Sequence, residues 1–196
     1  ATIENKLNAD YPSDKLQIIV VSDESEDSTD QIVTEIAATS AIPVSLVRQV
    51  PRMGKTSGLN LIVPEATGEI IVFSDANSLY DKDALKKLAS RFVDPEVGYV
   101  TGKMMYTQQD GSLVGDGCSQ YMKYENWMRG KESLLGSVVG VDGGIDAMRK
   151  SLYETLNADQ LPDFVQPLKV VEKGYRVVYE PTAILKEETL SDAGRE

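Results

Sequence analysis

The chain has 196 residues, 41% of them hydrophobic and 26% charged, enough for one α/β domain with its own core. It has no histidine and a single cysteine, Cys118. A Ser-His-Asp triad, a His-ligated zinc site and an intrachain disulfide are therefore excluded, and proton transfer falls mainly to Asp, Glu, Lys or Tyr. The formal net charge of −11 argues against a nucleic-acid partner and against docking on an anionic membrane through a basic patch. A polyanion bound by such a protein needs local compensation, and a divalent cation held by carboxylates is one way to supply it.

Residues Ile3 to Leu7 read as the tail of a helix, ended by Asn8-Ala9-Asp10-Tyr11-Pro12. Leu16 to Val21 is a β-branched run that suits a strand buried on both faces. An acidic loop from Ser22 to Asp30 follows, then a helix over Asp30 to Thr39 that Ser28 or Thr29 can cap. Pro43 to Val47 is the next strand. Arg52-Met53-Gly54-Lys55 is a basic turn before a helix over Lys55 to Ala66, stopped by Thr67-Gly68.

Glu69 to Phe73 is a third strand, ending at Ser74-Asp75-Ala76-Asn77. Asp81 to Phe92 is an amphipathic helix with Leu85, Leu88, Ala89 and Phe92 on one stripe. Val97 to Met105 is a strand interrupted at Gly102. From Gln108 to Gly136 the chain reads as a helical covering layer, in which Tyr124, Trp127 and Met128 serve packing or wall an acceptor groove. Ser137 to Ala147 is a Gly-rich strand region. Short helices are expected over Ser151 to Leu156 and Asp163 to Glu172, and a last strand over Tyr175 to Tyr179, before Pro181. Strand–helix alternation predicts a mostly parallel sheet with helices on both faces. No domain boundary is evident and no apolar run approaches the ~20 residues of a membrane span.

In open α/β sheets ligands bind beyond the carboxyl ends of the strands. Two polar clusters fall there: Asp23 with its acidic loop, and Asp75-Ala76-Asn77. The spacing of the second suits one cation bridged to phosphate oxygens, and equally a turn or helix cap before Ser78. Asp23-x-Ser25-x-Asp27 lacks the central glycine and the terminal glutamate of a calcium loop. Asp142 and Asp146 flank a Gly-rich segment that an acceptor can approach closely, and turn capping is an equal reading. Cys118 reads as a buried small hydrophobe.

Six blocks, in order, resemble the family-2 glycosyltransferases. They are Tyr11-Pro12 with Ile18 to Thr29; Arg52-Met53-Gly54-Lys55 with Leu59-Asn60; Ala66 to Asn77; Gly143 to Lys150; Leu161-Pro162-Asp163-Phe164; and Gly174 to Ala183. The resemblance implies a GT-A fold and transfer of a hexose from a nucleotide-sugar, a UDP-sugar by expectation, to an acceptor hydroxyl with inversion. It implies that Asp23 reads the donor base, that Asp75 touches the ribose and the metal-bound diphosphate, and that Asn77 stands where a second Asp ligates Mg²⁺ or Mn²⁺. Asp163 is then the general base, with Lys55 and Arg52 near the phosphates. Residues 1–105 would form the nucleotide-binding half and 106–196 the acceptor and base half of a single catalytic domain. The expected partners are a nucleotide-sugar donor and a glycan or lipid-linked acceptor, with no nucleic acid.

Several positions depart from the family pattern. Asn77 replaces a carboxylate, though an amide oxygen remains acceptable to a hard cation. Pro162 replaces an acid, and Glu24 stands where glycine is usual, which alters the demands on that loop's backbone. The family's first strand, with Pro-x-x-Asn-Glu, has no counterpart after Ala1, and Glu196 stops before an Arg-rich segment would come. The chain is accordingly expected to be a soluble fragment, itself of doubtful activity, of a membrane-embedded polysaccharide or glycan synthase whose domain lies at the cytoplasmic face. A nucleotidyltransferase of the same fold and a non-catalytic nucleotide-binding module are the alternatives.

Overall fold

A computed structural model describes residues 1–107 and 116–188, with side chains over 120–187 in the second span. The expectations for the Cys118 side chain and for the Gly194 to Glu196 end lie outside the described residues. The described residues form two sheets. Strands β1 (Ile18–Asp23) and β2 (Val44–Gln49) pair in parallel. The second sheet has five strands in the order β3, β6, β5, β7, β4. These are β3 (Ile70–Phe73), β4 (Leu79–Tyr80), β5 (Val97–Thr107), β6 (Asp146–Arg149) and β7 (Arg176–Glu188).

The expectation of a mostly parallel sheet needs correction. Within the five-stranded sheet only β5 and β7 run parallel, while the other three pairings are antiparallel. The reason is β6. It threads between β3 and β5 against both of them, which a reading of simple strand–helix alternation does not foresee. The sheet also crosses the expected division near residue 105, because β5 runs through it and β3 pairs with β6.

The Leu16–Val21 run was expected to be buried on both faces. Ile18, Ile19, Val20 and Val21 are instead half-buried, because among the described residues β1 pairs only with β2. The last strand does not stop before Pro181. It continues to Glu188, and the register against β5 slips between Thr101 and Lys103, so that residues 180–183 bulge out opposite Gly102. A proline is tolerated in such an irregularity because no ladder hydrogen bond is asked of it.

Among the described residues six α-helices dress the sheets: α1 (Thr2–Leu7), α2 (Thr29–Thr39), α3 (Gly54–Ile62), α4 (Ala84–Ser90), α5 (Asp116–Leu135) and α6 (Pro162–Glu172). Neither Ser28 nor Thr29 caps α2 with its side chain; Asp27 Oδ1 accepts from Thr29 N at 3.0 Å instead. Asp81 to Phe92 divides into α4 and a 3₁₀ turn over Arg91–Val93. Its Leu85 and Leu88 enter a core with Tyr80, Val97, Val100, Ile145, Val178 and Leu185. Burial of each such leucine contributes roughly 1.5–3 kcal/mol. The Ser151–Leu156 helix is only a 3₁₀ turn over Lys150–Leu152, and residues 137–145 are loop rather than strand. On α5, Tyr124 and Trp127 stack at 6.2 Å and remain 58% and 59% exposed, so the expected packing role is not fulfilled there. No helix among the described residues is long and apolar enough to cross a membrane.

Candidate active site

The site forms where three loop ends meet: the segment after β1, the segment after β3, and the turn into α6. The first is organised by Asp23. Its Oδ1 accepts from Gln49 Nε2 at 2.6 Å and Met53 N at 2.9 Å, and its Oδ2 accepts from Gly54 N at 3.0 Å. Asp23 therefore closes the N-terminus of α3, whose free N–H groups favour an anion. The Met53 N–H, then Gln49, hold its carboxyl below the usual carboxylate range. Arg52 completes the clamp by donating Nε to the Asp23 carbonyl and Nη2 to the Glu24 carbonyl. Glu24, at the position usually given to glycine, adopts φ +54°. The left-handed turn is thus retained despite the side chain.

The clamp aims Lys55, in the first turn of α3, at the end of β3. Lys55 Nζ meets Asp75 Oδ1 at 2.7 Å, with both side chains well exposed to solvent. Asn77 lies in the exposed turn beyond, where Ser78 N donates to the Asp75 carbonyl at 3.2 Å. Among the described residues no group of three or more His, Cys, Asp or Glu is placed to hold a metal ion. The oxygen-bearing side chains of the expected site are Asp75, whose Oδ1 is paired with Lys55, and Asn77. That suits a hard ion whose remaining ligands are phosphate and water oxygens, as is common for Mg²⁺.

Asp163 enters from the other side, in the first turn of α6 just after Pro162, a position favourable both to proline and to a carboxylate. It rests against Gly143. That glycine has φ +74°, and a Cβ there would lie 2.5 Å from Asp163 Oδ2. Only glycine lets the backbone come so close. Lys55, Leu59, Phe73, Tyr99, Gly143, Asp146, Pro162 and Asp163 line one small pocket. Lys55 and Asp163, 108 positions apart in the chain, thus share a cavity. Asp23 and Arg52 are not among its lining residues; they hold the turn that presents Lys55.

Tyr99 and Tyr80, which sequence reasoning did not single out, complete the walls together with Asp142 and Asp146, which it read as flanking an acceptor approach or capping a turn. Tyr99 Oη donates to Asp146 Oδ2 at 2.8 Å, and Gly143 N donates to the same oxygen at 3.0 Å. The Tyr80 hydroxyl sits between the carbonyls of Phe73 and Gly144, at 2.7 and 2.8 Å, joining the end of β3 to the Gly-rich segment. Asp142 forms a buried ion pair with Arg129 of α5 at 2.7 Å. Burial pushes its carboxyl up, and Arg129 offsets part of that. A polar side chain within an apolar run, such as Tyr99 in Val97–Val100, was the available signal.

The family model for glycosyl transferase family 2 matches residues 1–156. Over 95% of its length the chain is 28% identical to the probable glycosyltransferase YdaM of Bacillus subtilis, of which it spans 46%. Over 93% it is 26% identical to the poly-beta-1,6-N-acetyl-D-glucosamine synthase of Staphylococcus aureus, of which it spans 45%. The chain thus covers about half the length of the curated relatives it matches. Among solved structures, the mannosyltransferase PcManGT of Pyrobaculum calidifontis, in complex with GDP-Man and Mn²⁺, superposes with a TM-score of 0.82 at 28% identity. That match covers 98% of this chain and 53% of the other. S. aureus TarS 1-349 in complex with UDP-GlcNAc shares the fold, with a TM-score of 0.69 at 20% identity over 99% of this chain and 55% of its own.

Proposed function

The chain belongs to glycosyl transferase family 2, and we propose that it is the catalytic domain of an inverting hexosyltransferase that moves a sugar from a nucleotide-sugar to an acceptor hydroxyl in glycan or polysaccharide synthesis. The observation that carries this reading is that Lys55, ion-paired with Asp75, and the Asp163 carboxylate line one small pocket. The ammonium suits a diphosphate and the carboxylate a hydroxyl to be activated.

In this reading Asp163 takes the proton of the acceptor hydroxyl, a poor nucleophile without such help. The acceptor oxygen bonds to the anomeric carbon of the donor sugar. The bond from that carbon to the diphosphate oxygen breaks, and the nucleoside diphosphate leaves with the electron pair. A single in-line displacement inverts the anomeric configuration. Lys55 contributes positive charge beside the diphosphate, and the Asp23–Arg52 clamp fixes the turn that holds Lys55 and borders the nucleotide base. Asp75 and Asn77 would hold Mg²⁺ or Mn²⁺. That ion, when bound, neutralises charge on the leaving diphosphate.

A UDP-sugar is the favoured donor and a glycan or lipid-linked sugar the favoured acceptor. Two relatives support this: one is named as a polymer synthase, and TarS was solved with UDP-GlcNAc. The bound GDP-Man of PcManGT makes a guanosine donor the comparison to run. The whole protein is proposed to be membrane-embedded, with this domain at the cytoplasmic face. The test is to incubate the full-length protein with UDP- and GDP-hexoses, Mn²⁺ and a glycan acceptor, and to follow release of nucleoside diphosphate. Metal-dependent, acceptor-dependent release from a UDP-sugar is expected. Release of pyrophosphate, or nucleotide binding with no turnover of any donor, would overturn the proposal.

A further inference from the structure

Asp146 is the most deeply buried carboxyl group in the pocket. It lies on β6 with Phe73 of β3 on one side and Thr101 of β5 on the other, and it is 1% exposed. Among the described residues no salt bridge reaches it; Lys55, which lines the same pocket, is paired with Asp75, and Arg129 with Asp142. Among the described residues the Oδ1 of Asp146 accepts no well-formed hydrogen bond, the Thr101 hydroxyl acting on the carboxyl only as a weaker polar neighbour. Its Oδ2 accepts from both the Tyr99 hydroxyl and the Gly143 backbone N–H. Uncompensated acids are rarely retained in a sheet interior, because their desolvation is costly.

The consequence lies one step further along the chain of contacts. The Gly143 backbone held by Asp146 is the surface on which Asp163 rests. We propose that Asp146 is a positioning residue for glycosyl transfer: by tying the Gly143 N–H to the Tyr99 hydroxyl, it fixes the wall that orients the Asp163 carboxylate toward the acceptor. This rests on the reading of Asp163 as the base. The side chain touches neither donor nor acceptor in this account; it acts through Gly143.

The ionisation of Asp146 accompanies this geometry. Burial pushes its carboxyl up to about 7, with the Thr101 and Tyr99 hydroxyls offsetting part of the rise and Asp142 adding to it. The other titratable or charged groups around it are Tyr80, Asp163 and, across the pocket, Lys55 with Asp75. A proton on Asp146 near neutral pH removes one negative charge from beside the base. Loss of that proton adds one.

Two variants of the full-length protein test the assignment. Asp146→Asn keeps an acceptor oxygen for both donors but cannot titrate. It should retain kcat within about threefold and flatten the pH profile near 7. Asp146→Leu removes both hydrogen bonds and should lower kcat per folded molecule by about ten- to a hundredfold with donor KM little changed, as expected when a reacting group is misplaced by a fraction of an ångström. A second readout does not depend on turnover. With aspartate labelled at the side-chain carboxyl by ¹³C, and the Asp163 resonance assigned by its loss in Asp163→Asn, Asp146→Leu should shift that resonance. Wild-type kcat in both variants, or an Asp163 resonance unmoved by Asp146→Leu, overturns the proposal. An inactive wild-type protein whose Asp163 resonance still responds overturns the function instead and leaves this coupling standing.

Discussion

The turn around Asp23 and the wall around Gly143 solve the same problem, holding a residue in a left-handed conformation at the candidate site, by different means. At Asp23 the turn is held from outside. Three donors converge on one carboxylate and Arg52 spans two carbonyls, so that even Glu24 is kept at φ +54°. At Gly143 the turn is held from inside: its N–H goes to a buried acid, its neighbours Asp142 and Gly144 are tied to Arg129 and Tyr80, and the position has no room for a side chain. The first arrangement is partly solvated; the second is enclosed. Substitutions should therefore be absorbed at the first and transmitted to function at the second.

Between these two turns the larger effect is expected at Gly143. Gly143→Ala combines a left-handed backbone, costing about 1–2 kcal/mol for a non-glycine residue, with a Cβ aimed at the Asp163 carboxylate. Transfer should fall at least about tenfold as Asp163 is displaced, with nucleotide binding retained, in steady-state assays and calorimetry. Equal rates would show that the wall does not orient the base.

An intermediate effect is expected for Asp23→Ala, and mainly on stability. The melting temperature should drop at neutral pH because Met53 N, Gly54 N and Gln49 Nε2 lose their acceptor. The sign with pH follows from the depressed carboxyl. Its contribution is present above the unfolded value of about 3.9 and is lost as pH falls through the lower folded value. The gap between wild type and variant should narrow in melts below about pH 4. A gap that widens in acid would contradict the clamp.

The smallest effect is expected for Glu24→Gly. Relief of roughly 1 kcal/mol of backbone strain is offset by the lost bond from Arg52 N to Glu24 Oε2 and by a looser unfolded chain. A melting temperature within a few degrees of wild type would agree, whereas a large loss would show the Asp23 turn to be less tolerant than described.

The same contrast explains what the sequence made legible. Asp23, Arg52, Lys55 and Asp75 sit in short local motifs at strand ends, and their places in the fold follow from those motifs and from the β-branched runs before them. Asp163 could be located for the same reason, from the block around Pro162. The pocket's back wall could not. Tyr99 and Asp146 are 47 positions apart and meet only because β6 inserts antiparallel between β3 and β5. Periodicity does not encode that insertion. It also left Asp146 readable as a turn cap, which is half of what the residue does. Pro181 misled for a related reason: the register slip that accommodates it depends on Gly102 in another strand.

Asp163→Asn in the full-length protein tests the central claim most directly. The amide keeps the size of the side chain and removes its basicity. Transfer should fall by about 10²–10⁴-fold while affinity for the nucleoside diphosphate with Mn²⁺ stays within about threefold. A variant that transfers sugar at the wild-type rate would contradict the assignment of Asp163 as the base, and with it the account of the pocket.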